Sequence, residues 1–249
     1  MISIPHRRED EILVSDQHGT PLHLSSQGEV KHPTTGEVHG SYSWAKDGGE
    51  SNIVIKYRSG EKRDCAKIAE LINIASGGIV EYLFHDLVPG LTPVQVVAHN
   101  LESENSPYSY RSTVVAEEDN DVIGMALSFP SSYHKITNTM RNFFPADRLE
   151  HLRHFYASCV QGSWMLDALC VIESHRKRGI GEKLISLTKE KAVENGCRAL
   201  SLITFADNTL AIPVYKRTGF EIVEKIELQG NEFIKHEGGC LLMNCEITT

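Results

Sequence analysis

The segment from residue 171 to 181 constrains this chain most, because it joins a predicted strand to a predicted helix through a basic turn. Gly179 and Gly181 lie at the start of the helix, where the absence of a side chain lets a ligand approach the backbone amides closely. Free amides and the positive end of the helix dipole favour an anion at such a turn. The segment therefore predicts a diphosphate site. Three cations are expected to contribute to it: Arg176, Lys177 and Arg178.

Two familiar nucleotide motifs do not fit this turn. A kinase-type loop requires G-x-x-x-x-G-K-[ST], which is absent, and a dinucleotide fingerprint requires three glycines where this turn has two. A strand-to-helix turn whose charges are merely solvated is the alternative to a ligand site. The turn by itself leaves both interpretations open.

The periodicity divides the chain into two regions. Residues 1–50 are polar and contain short alternating segments between turns, which predicts a β-rich extension of one or two hairpins followed by a linker at residues 47–49. From residue 51 to 249 strands and helices alternate, which predicts one α/β domain with a partly parallel sheet and two closing antiparallel strands. An insertion over residues 130–162 interrupts this domain, and a connection of that length is usually functional or disordered.

Two further segments carry candidate site residues. Residues 208–217 are predicted to be a helix, and a spacing of seven residues, about 10.5 Å, places Asn208 and Tyr215 on one face. Pro213 is expected to bend this helix, or else to restrict its start to the residues just before the proline. Asp167 is the acidic residue within the apolar strand predicted at residues 165–172, and a charge in such a strand must be paired, hydrated or functional.

Together these segments resemble the GCN5-related N-acetyltransferase (GNAT) family. The pattern R-x-x-G-x-G, at Arg176, Gly179 and Gly181, resembles the family's motif A. Asn208, Tyr215 and the Gly-Phe pair at residues 219–220 resemble its motif B. The resemblance covers residues 52–249 and implies a mixed, central twisted sheet flanked by helices.

The resemblance also implies roles for individual residues. The turn would cradle the pyrophosphate of acetyl-CoA, with Ile180 among its residues, and Asn208 would hydrogen-bond the pantetheine arm. The backbone of Leu169 and Val171 would pair with the pantetheine amides where the strand splays from its neighbour. Tyr215 would be the general acid that protonates the CoA thiolate, and Asp167 is a candidate general base. The alternative for Tyr215 is a packing aromatic with its hydroxyl at the surface, and the alternative for Asp167 is a carboxylate that binds a neighbouring cation or backbone amide.

The expected function is direct transfer of acetyl from acetyl-CoA to a primary amine of a small molecule or a peptide. A non-catalytic acyl-CoA-binding or interaction module on the same fold is the alternative, since a fold does not fix a function. Cys170 is expected to be a buried thiol rather than a nucleophile that forms an acyl-enzyme.

The insertion is aromatic and basic, which suggests a lid whose cations favour an acceptor that carries a carboxylate. The alternative is an amphipathic helix that only extends the core. Asp147 is predicted to begin a helix that runs to Tyr156, with Leu149 and Leu152 facing inward.

The composition limits the partners, the cellular compartment and the metals that we expect for this protein. A net charge of -8 disfavours non-specific nucleic-acid binding. No segment approaches a membrane span, the first ten residues lack a signal-peptide core, and the six cysteines include no C-x-x-C pair, which predicts a cytoplasmic protein with reduced thiols. A homodimer is left open. No metal is expected, because the spacing of four histidines in the extension fits no zinc pattern: His18, His23, His32 and His39.

Overall fold

The computed structural model describes residues 54–104 and 106–247, and four short strands nearer the start of the chain. The chain divides into two compact units, Met1–Asn52 and Ile53–Thr249. In the first unit four strands pair in order as an antiparallel sheet: β1 (Val14–Ser15), β2 (Pro21–Leu24), β3 (Glu29–Lys31) and β4 (Val38–Ser41). The predicted linker at residues 47–49 lies outside the described residues.

The second unit contains a seven-stranded sheet with the order β10-β11-β9-β8-β7-β6-β5. Its strands are β5 (Lys56–Ser59), β6 (Thr113–Glu118), β7 (Asp121–Pro130), β8 (Trp164–Val171), β9 (Ala199–Phe205), β10 (Glu221–Ile226) and β11 (Cys240–Glu246). All neighbours are antiparallel except β8 and β9. The predicted mixed sheet and its antiparallel closing strands are confirmed.

Eight helices accompany these strands in the described part of the second unit. They are α1 (Cys65–Ala75), α2 (Ile79–Phe84), α3 (Pro93–Leu101), α4 (Asn138–Phe143), α5 (Ala146–His151), α6 (Arg153–Ala157), α7 (Ile180–Glu194) and α8 (Ala211–Arg217). None of the helices in the described residues is long and apolar enough to cross a bilayer.

Helices cover both faces of the central strands. Ile68 and Leu71 of α1 pack in a cluster on one face, and Ile180 and Leu184 of α7 pack in a cluster on the other. β7 is consequently buried over residues 122–129 and reads as a continuous apolar run, as expected for a strand covered on both sides.

The parallel pair β8 and β9 diverges soon after it begins. Residues 164–166 pair with residues 200–202, and from Asp167 onward β8 pairs only with β7 among the described strands. β8 therefore has one backbone edge that faces a gap in the sheet, and this gap is the predicted splay.

A β-bulge lies where the two strands part. Leu127 of β7 pairs with Ala168, and the next residue, Ser128, pairs with Leu166. Asp167 is thus the extra residue of β8, without a partner on β7. Bulges re-aim a side chain and are common next to active sites.

The structure corrects two predictions about helices and decides between two alternatives for Pro213. α8 begins at Ala211, so Asn208 precedes the helix, and Pro213 lies in its first turn, which confirms that the helix starts just before this proline. The helix predicted from Asp147 to Tyr156 is divided into α5 and α6 at Leu152, whose ψ of 11° interrupts the regular geometry. Leu149 and Leu152 are buried as predicted.

The α1–α2 junction packs directly against the loop between β10 and β11. Gly78 has a φ of +98°, and a Cβ there would lie 2.2 Å from the carbonyl oxygen of Phe233. Glycine is therefore required both for the left-handed backbone and for the close approach.

This packing predicts the effect of Gly78→Ala. The substitution adds a backbone clash to left-handed strain, so we expect a loss of about 2 to 4 kcal/mol in the free energy of unfolding, measured by urea denaturation. Gly90→Ala is the matched control, because Gly90 has a φ of +79° but open space around a Cβ. Equal losses in the two variants would show that the loop does not hold this junction.

Candidate active site

A cavity of about 600 Å³ lies where β8 and β9 diverge. It extends to both faces of the sheet, since its walls include Ile74 and Ala75 of α1 as well as Ile180 of α7 and Tyr215 of α8. The cavity reaches the basic turn at one end, so one continuous space joins the predicted anion site to the bulge.

The turn before α7 presents backbone amides without partners. Gly179 has a φ of +78°, and a Cβ on it would meet nothing within 4 Å. Among the described residues no backbone carbonyl accepts from the N–H groups of Ile180, Gly181 or Glu182, as expected for the first turn of a helix. The arrangement can bind an anion at the helix N-terminus.

The three cations of this turn have different positions. Arg176 lines the cavity and its Nε donates to the carbonyl of Val171 at 3.1 Å, and Lys177 also lines the cavity. Arg178 instead pairs with Glu118 on β6, with 2.7 Å between Nη2 and Oε1. Glu118 also contacts His175, which ties the turn to the sheet. Arg176 and Lys177 are therefore the cations available to a ligand, and Arg178 holds the turn in place.

The edge of β8 that faces the gap has no partner strand among the described strands. Ile172 donates its N–H to the carbonyl of Ile123 on β7. Because the direction of the backbone hydrogen bonds alternates along a strand, the N–H and C=O of Cys170 also point to β7. Leu169 and Val171 therefore direct theirs into the gap, and both residues line the cavity. An extended ligand with amide groups could pair with this edge as an added strand.

Tyr215 is buried against the cavity wall. Its ring meets that of Phe220 edge-on, with 5.8 Å between centroids. Burial raises the pKa of Tyr215 to about 12, and the nearby Cys170 thiol contributes. No group within the described residues hydrogen-bonds its hydroxyl, so the phenol is a neutral proton donor open to the cavity.

Asn208 lies at the cavity and caps α8. Its Oδ1 accepts from the N–H of Ala211 at 3.1 Å, and its Nδ2 donates to Thr204 at 3.2 Å. This cap explains why a residue outside the helix still shares a wall with Tyr215. One amide hydrogen of Asn208 stays available to a ligand.

Asp167 is enclosed at the bulge, and its side chain keeps 18% exposure towards the cavity. Burial raises the pKa of Asp167 to about 7, although a weak hydrogen bond from Tyr108, at 3.5 Å, acts in the opposite direction. A carboxyl that titrates near neutral pH can accept a proton and release it again.

Two groups beside Asp167 escaped the sequence analysis. Tyr108 precedes β6, and His134 belongs to the insertion, with its Nδ1 at 3.9 Å from Oδ1 of Asp167. Neither lies near Asp167 in the sequence, and no motif marks them. Only the contacts between distant segments bring them together.

A histidine–aspartate pair forms another part of the cavity wall. Nδ1 of His236 donates to Oδ1 of Asp207 at 2.8 Å, and the imidazole ring stacks on Phe205 with 3.9 Å between centroids. The backbone N–H of Glu237 donates to the other carboxylate oxygen of Asp207. These contacts fix the imidazole beside the α1 end of the cavity, where sequence analysis predicted no site residue.

The insertion contributes little charge to the cavity. Among its described residues only Phe155 lines the wall. Arg148 donates to the carbonyls of Leu83 and His85, and Arg153 pairs with Glu150. The predicted lid cations therefore hold helices together at these positions.

Cysteine and metal chemistry find no support in the described residues. Cys170 is a free thiol whose pKa is raised by burial, which suits a core residue better than a nucleophile. No group of three or more potential metal ligands occurs in the part of the chain that the structure describes. The side chains of the four histidines of the extension lie outside the described residues.

Comparison with known proteins identifies relatives of the region around the cavity. Residues 83–220 match the model of the acetyltransferase (GNAT) family. The chain is 38% identical over 55 residues to mycothiol acetyltransferase of Corynebacterium jeikeium (strain K411), covering 22% of this chain and 16% of that protein. It is 30% identical over 77 residues to aminoglycoside N(6')-acetyltransferase type 1 of Salmonella typhimurium (strain LT2), covering 30% of this chain and 53% of that protein. The matches thus span about half or less of these curated relatives.

Solved structures share the fold. A crystal structure of an acetyltransferase has a TM-score of 0.54 and 24% identity, covering 78% of this chain and all of that one. A crystal structure of an N-acetyltransferase from Staphylococcus aureus Mu50 has a TM-score of 0.53 and 20% identity, covering 75% of this chain and 99% of that one. At these identities the likeness extends to the fold alone.

The buried carboxyl predicts a pH-dependent stability. Because burial raises the pKa of Asp167 to about 7, the folded state binds a proton that the unfolded state has lost, and the carboxyl destabilises the fold increasingly from about pH 4 to pH 7. Asp167→Asn removes this cost. The increase in the free energy of unfolding of Asp167→Asn over that of the wild type should be about 2 to 3 kcal/mol larger at pH 8 than at pH 5.

Urea denaturation at the two pH values measures this difference, and the exposed Asp147→Asn is the matched control. A gain for Asp167→Asn that is equal at pH 5 and pH 8 would contradict a neutral carboxyl at the bulge.

Proposed function

This chain belongs to the acetyltransferase (GNAT) family, and from that premise we propose that it transfers an acetyl group from acetyl-CoA to a primary amine. The observation that carries the proposal is the continuous cavity. It joins the free amides of the α7 turn, the unpaired edge of β8, the Tyr215 phenol and the Asp167 carboxyl.

The chain has groups that suit each part of the donor. The amides of Ile180 and Gly181, with Arg176 and Lys177, suit the pyrophosphate. The backbone edge at Leu169 and Val171 suits the two amides of pantetheine, and the spare hydrogen of Asn208 suits an acceptor on the same arm. When bound, acetyl-CoA supplies an acetyl thioester that an amine can attack.

Residues around the bulge supply the proton transfers. Asp167 accepts a proton from the acceptor ammonium, which leaves a neutral amine as the nucleophile. The N–H of Leu169 stabilises the negative charge that develops on the carbonyl oxygen. Tyr215 donates its phenol proton to the departing thiolate and regains one from the attacking nitrogen, which carries a positive charge until it loses this proton and becomes the amide nitrogen. The net proton leaves through Asp167.

The acceptor end of the cavity is aromatic and apolar. Its walls include Ile74, Ile79, Phe155 and Phe205, with the fixed imidazole of His236 among them. A primary amine attached to an apolar or aromatic group fits such walls better than one attached to a carboxylate. Small molecules and peptides both offer such amines.

The cellular compartment and the partners of this activity are also proposals. We infer a cytoplasmic enzyme, because all six cysteines are free thiols and four of them are buried. The net charge of -8 favours neither a nucleic acid nor an anionic membrane as partner.

A binding titration followed by a turnover screen tests the proposed function. Isothermal titration with acetyl-CoA measures donor binding, and thiol release is then followed over a panel of amines and peptides. Binding together with acceptor-dependent thiol release is expected. Binding without release for every acceptor would instead support a non-catalytic acyl-CoA-binding module.

Gly181→Ala tests the phosphate site. A Cβ at this position would lie 4.0 Å from Val171, an ordinary contact, and alanine favours a helix, so the variant should fold at least as stably. The added methyl group would lie where the diphosphate approaches the amides, so acetyl-CoA affinity should fall roughly tenfold or more in isothermal titration. Ser186→Ala on the same helix is the control. Unchanged affinity in Gly181→Ala would place the diphosphate elsewhere.

Tyr215→Phe tests the general acid. It removes only the hydroxyl, so kcat should fall by about a hundredfold or more while acetyl-CoA affinity changes little. Tyr57→Phe is the matched control, because Tyr57 packs in the same core cluster but does not line the cavity. An unchanged kcat in Tyr215→Phe would rule out the proposed acid.

A further inference from the structure

His134 is the most enclosed titratable side chain of the insertion. The structure shows no exposure for its side chain, and its ring packs against Phe155 and Tyr156, with centroids 5.3 and 5.4 Å away. This packing holds the imidazole in one orientation, so each ring nitrogen faces a defined neighbour.

The neighbour of Nε2 determines where the ring proton lies. Nε2 is 3.0 Å from the backbone oxygen of Phe155. A carbonyl oxygen can only accept, so Nε2 carries the hydrogen. Burial lowers the pKa of His134, which keeps the imidazole neutral. Nδ1 of the neutral ring is therefore an acceptor.

This acceptor has no donor among the described residues. Nδ1 is buried without a hydrogen-bond partner, and the polar atom that approaches it is Oδ1 of Asp167 at 3.9 Å. A buried nitrogen without a partner is costly, and an ionised carboxylate cannot donate to it. A protonated Asp167 can, after a movement of about 1 Å.

We propose that His134 is a positioning residue for Asp167, which holds the protonated carboxyl by accepting its hydrogen at Nδ1. The proposal rests on the proposed function, in which Asp167 is the general base. The proton that Asp167 takes from the acceptor ammonium remains on the carboxyl oxygen and is shared with Nδ1. It returns to solvent through the cavity, because His134 is enclosed and its Nε2 is held by Phe155.

The other titratable groups around Asp167 leave this assignment intact. Tyr108 and Tyr156 are the remaining groups that face it among the described residues, and burial raises the pKa of both, which keeps them neutral. The Tyr108 hydroxyl donates to the carboxylate at 3.5 Å and so favours the ionised form. Tyr108 and His134 thus act on Asp167 in opposite directions.

Two substitutions at His134 distinguish the roles of its two ring nitrogens. In His134→Gln the longer side chain places an amide near Nε2, which keeps a donor for Phe155 but removes the acceptor at Nδ1. In His134→Asn the shorter side chain places its amide oxygen near Nδ1, which keeps the acceptor. The Asp167 carboxyl is titrated in each by carbon-13 NMR, with no acceptor substrate present.

The expected midpoint of the Asp167 titration is about one pH unit lower in His134→Gln than in the wild type. It should be close to wild type in His134→Asn and higher in Tyr108→Phe, which loses the opposing donor. A midpoint in His134→Gln that is unchanged or raised would overturn the proposal.

Nitrogen-15 shifts of His134 in the wild-type protein provide a test that needs no variant. We expect a neutral ring with hydrogen on Nε2 and a hydrogen-bonded Nδ1 below pH 7. A doubly protonated ring, or hydrogen on Nδ1, would overturn the proposal even where the variants do not fold.

These measurements are independent of the proposed function. If Asp167→Asn retained full turnover while His134→Gln lowered the Asp167 midpoint, the pairing would stand and the role of Asp167 as base would fail. If Asp167→Asn lost turnover but the midpoint of the Asp167 titration did not change in His134→Gln, the role of Asp167 as base would stand and the pairing with His134 would fail.

Discussion

The separation of β8 from β9 is the constraint on which the remaining structure depends. The two strands pair over three residues each, and the bulge at Asp167 marks the point where they part. Beyond it, the backbone groups of Leu169 and Val171 have no strand to pair with, and buried backbone groups need partners. A sheet interrupted in this way presents an extended polar edge inside the protein. The gap therefore suits a ligand with amides of its own, and the amides of the α7 turn lie at one end of it.

The same bulge also sets the electrostatics of the site. A regular strand would leave residue 167 paired across the sheet, whereas the bulge directs a carboxyl into a space closed by segments before β6 and in the insertion. In that space the protonated form is favoured, which moves the pKa of Asp167 towards neutrality. The insertion contributes through a buried histidine and an aromatic wall. Arg148 donates to carbonyls at the end of α2 and Arg153 pairs with Glu150, and among the described residues of the insertion only Phe155 lines the cavity.

Local patterns predicted most of the fold because they act over a few residues. The apolar runs of β7 and β9, the Pro at the start of α3 and the glycine turn before α7 all lie where the sequence places them. The errors occur where tertiary contacts compete with local propensity. Asn208 reads as the first helical residue, but it precedes α8 and its Oδ1 accepts from the N–H of Ala211. The helix predicted through Leu152 is interrupted at that residue, which is fully buried.

The sequence by itself determined the elements, their order and the chemistry of the phosphate turn, because strand and helix periods, helix starts and glycine conformations depend on neighbours in the chain. It also indicated Asp167 and Tyr215 as residues of interest. Only the tertiary structure decided the environment of these residues. The register between β7 and β8 makes Asp167 a bulge residue, and folding brings Tyr108, from 59 residues earlier in the chain, to its carboxyl. His134 reaches Asp167 only because the insertion packs against the sheet. Register and long-range packing depend on every segment at once, so no local pattern encodes them.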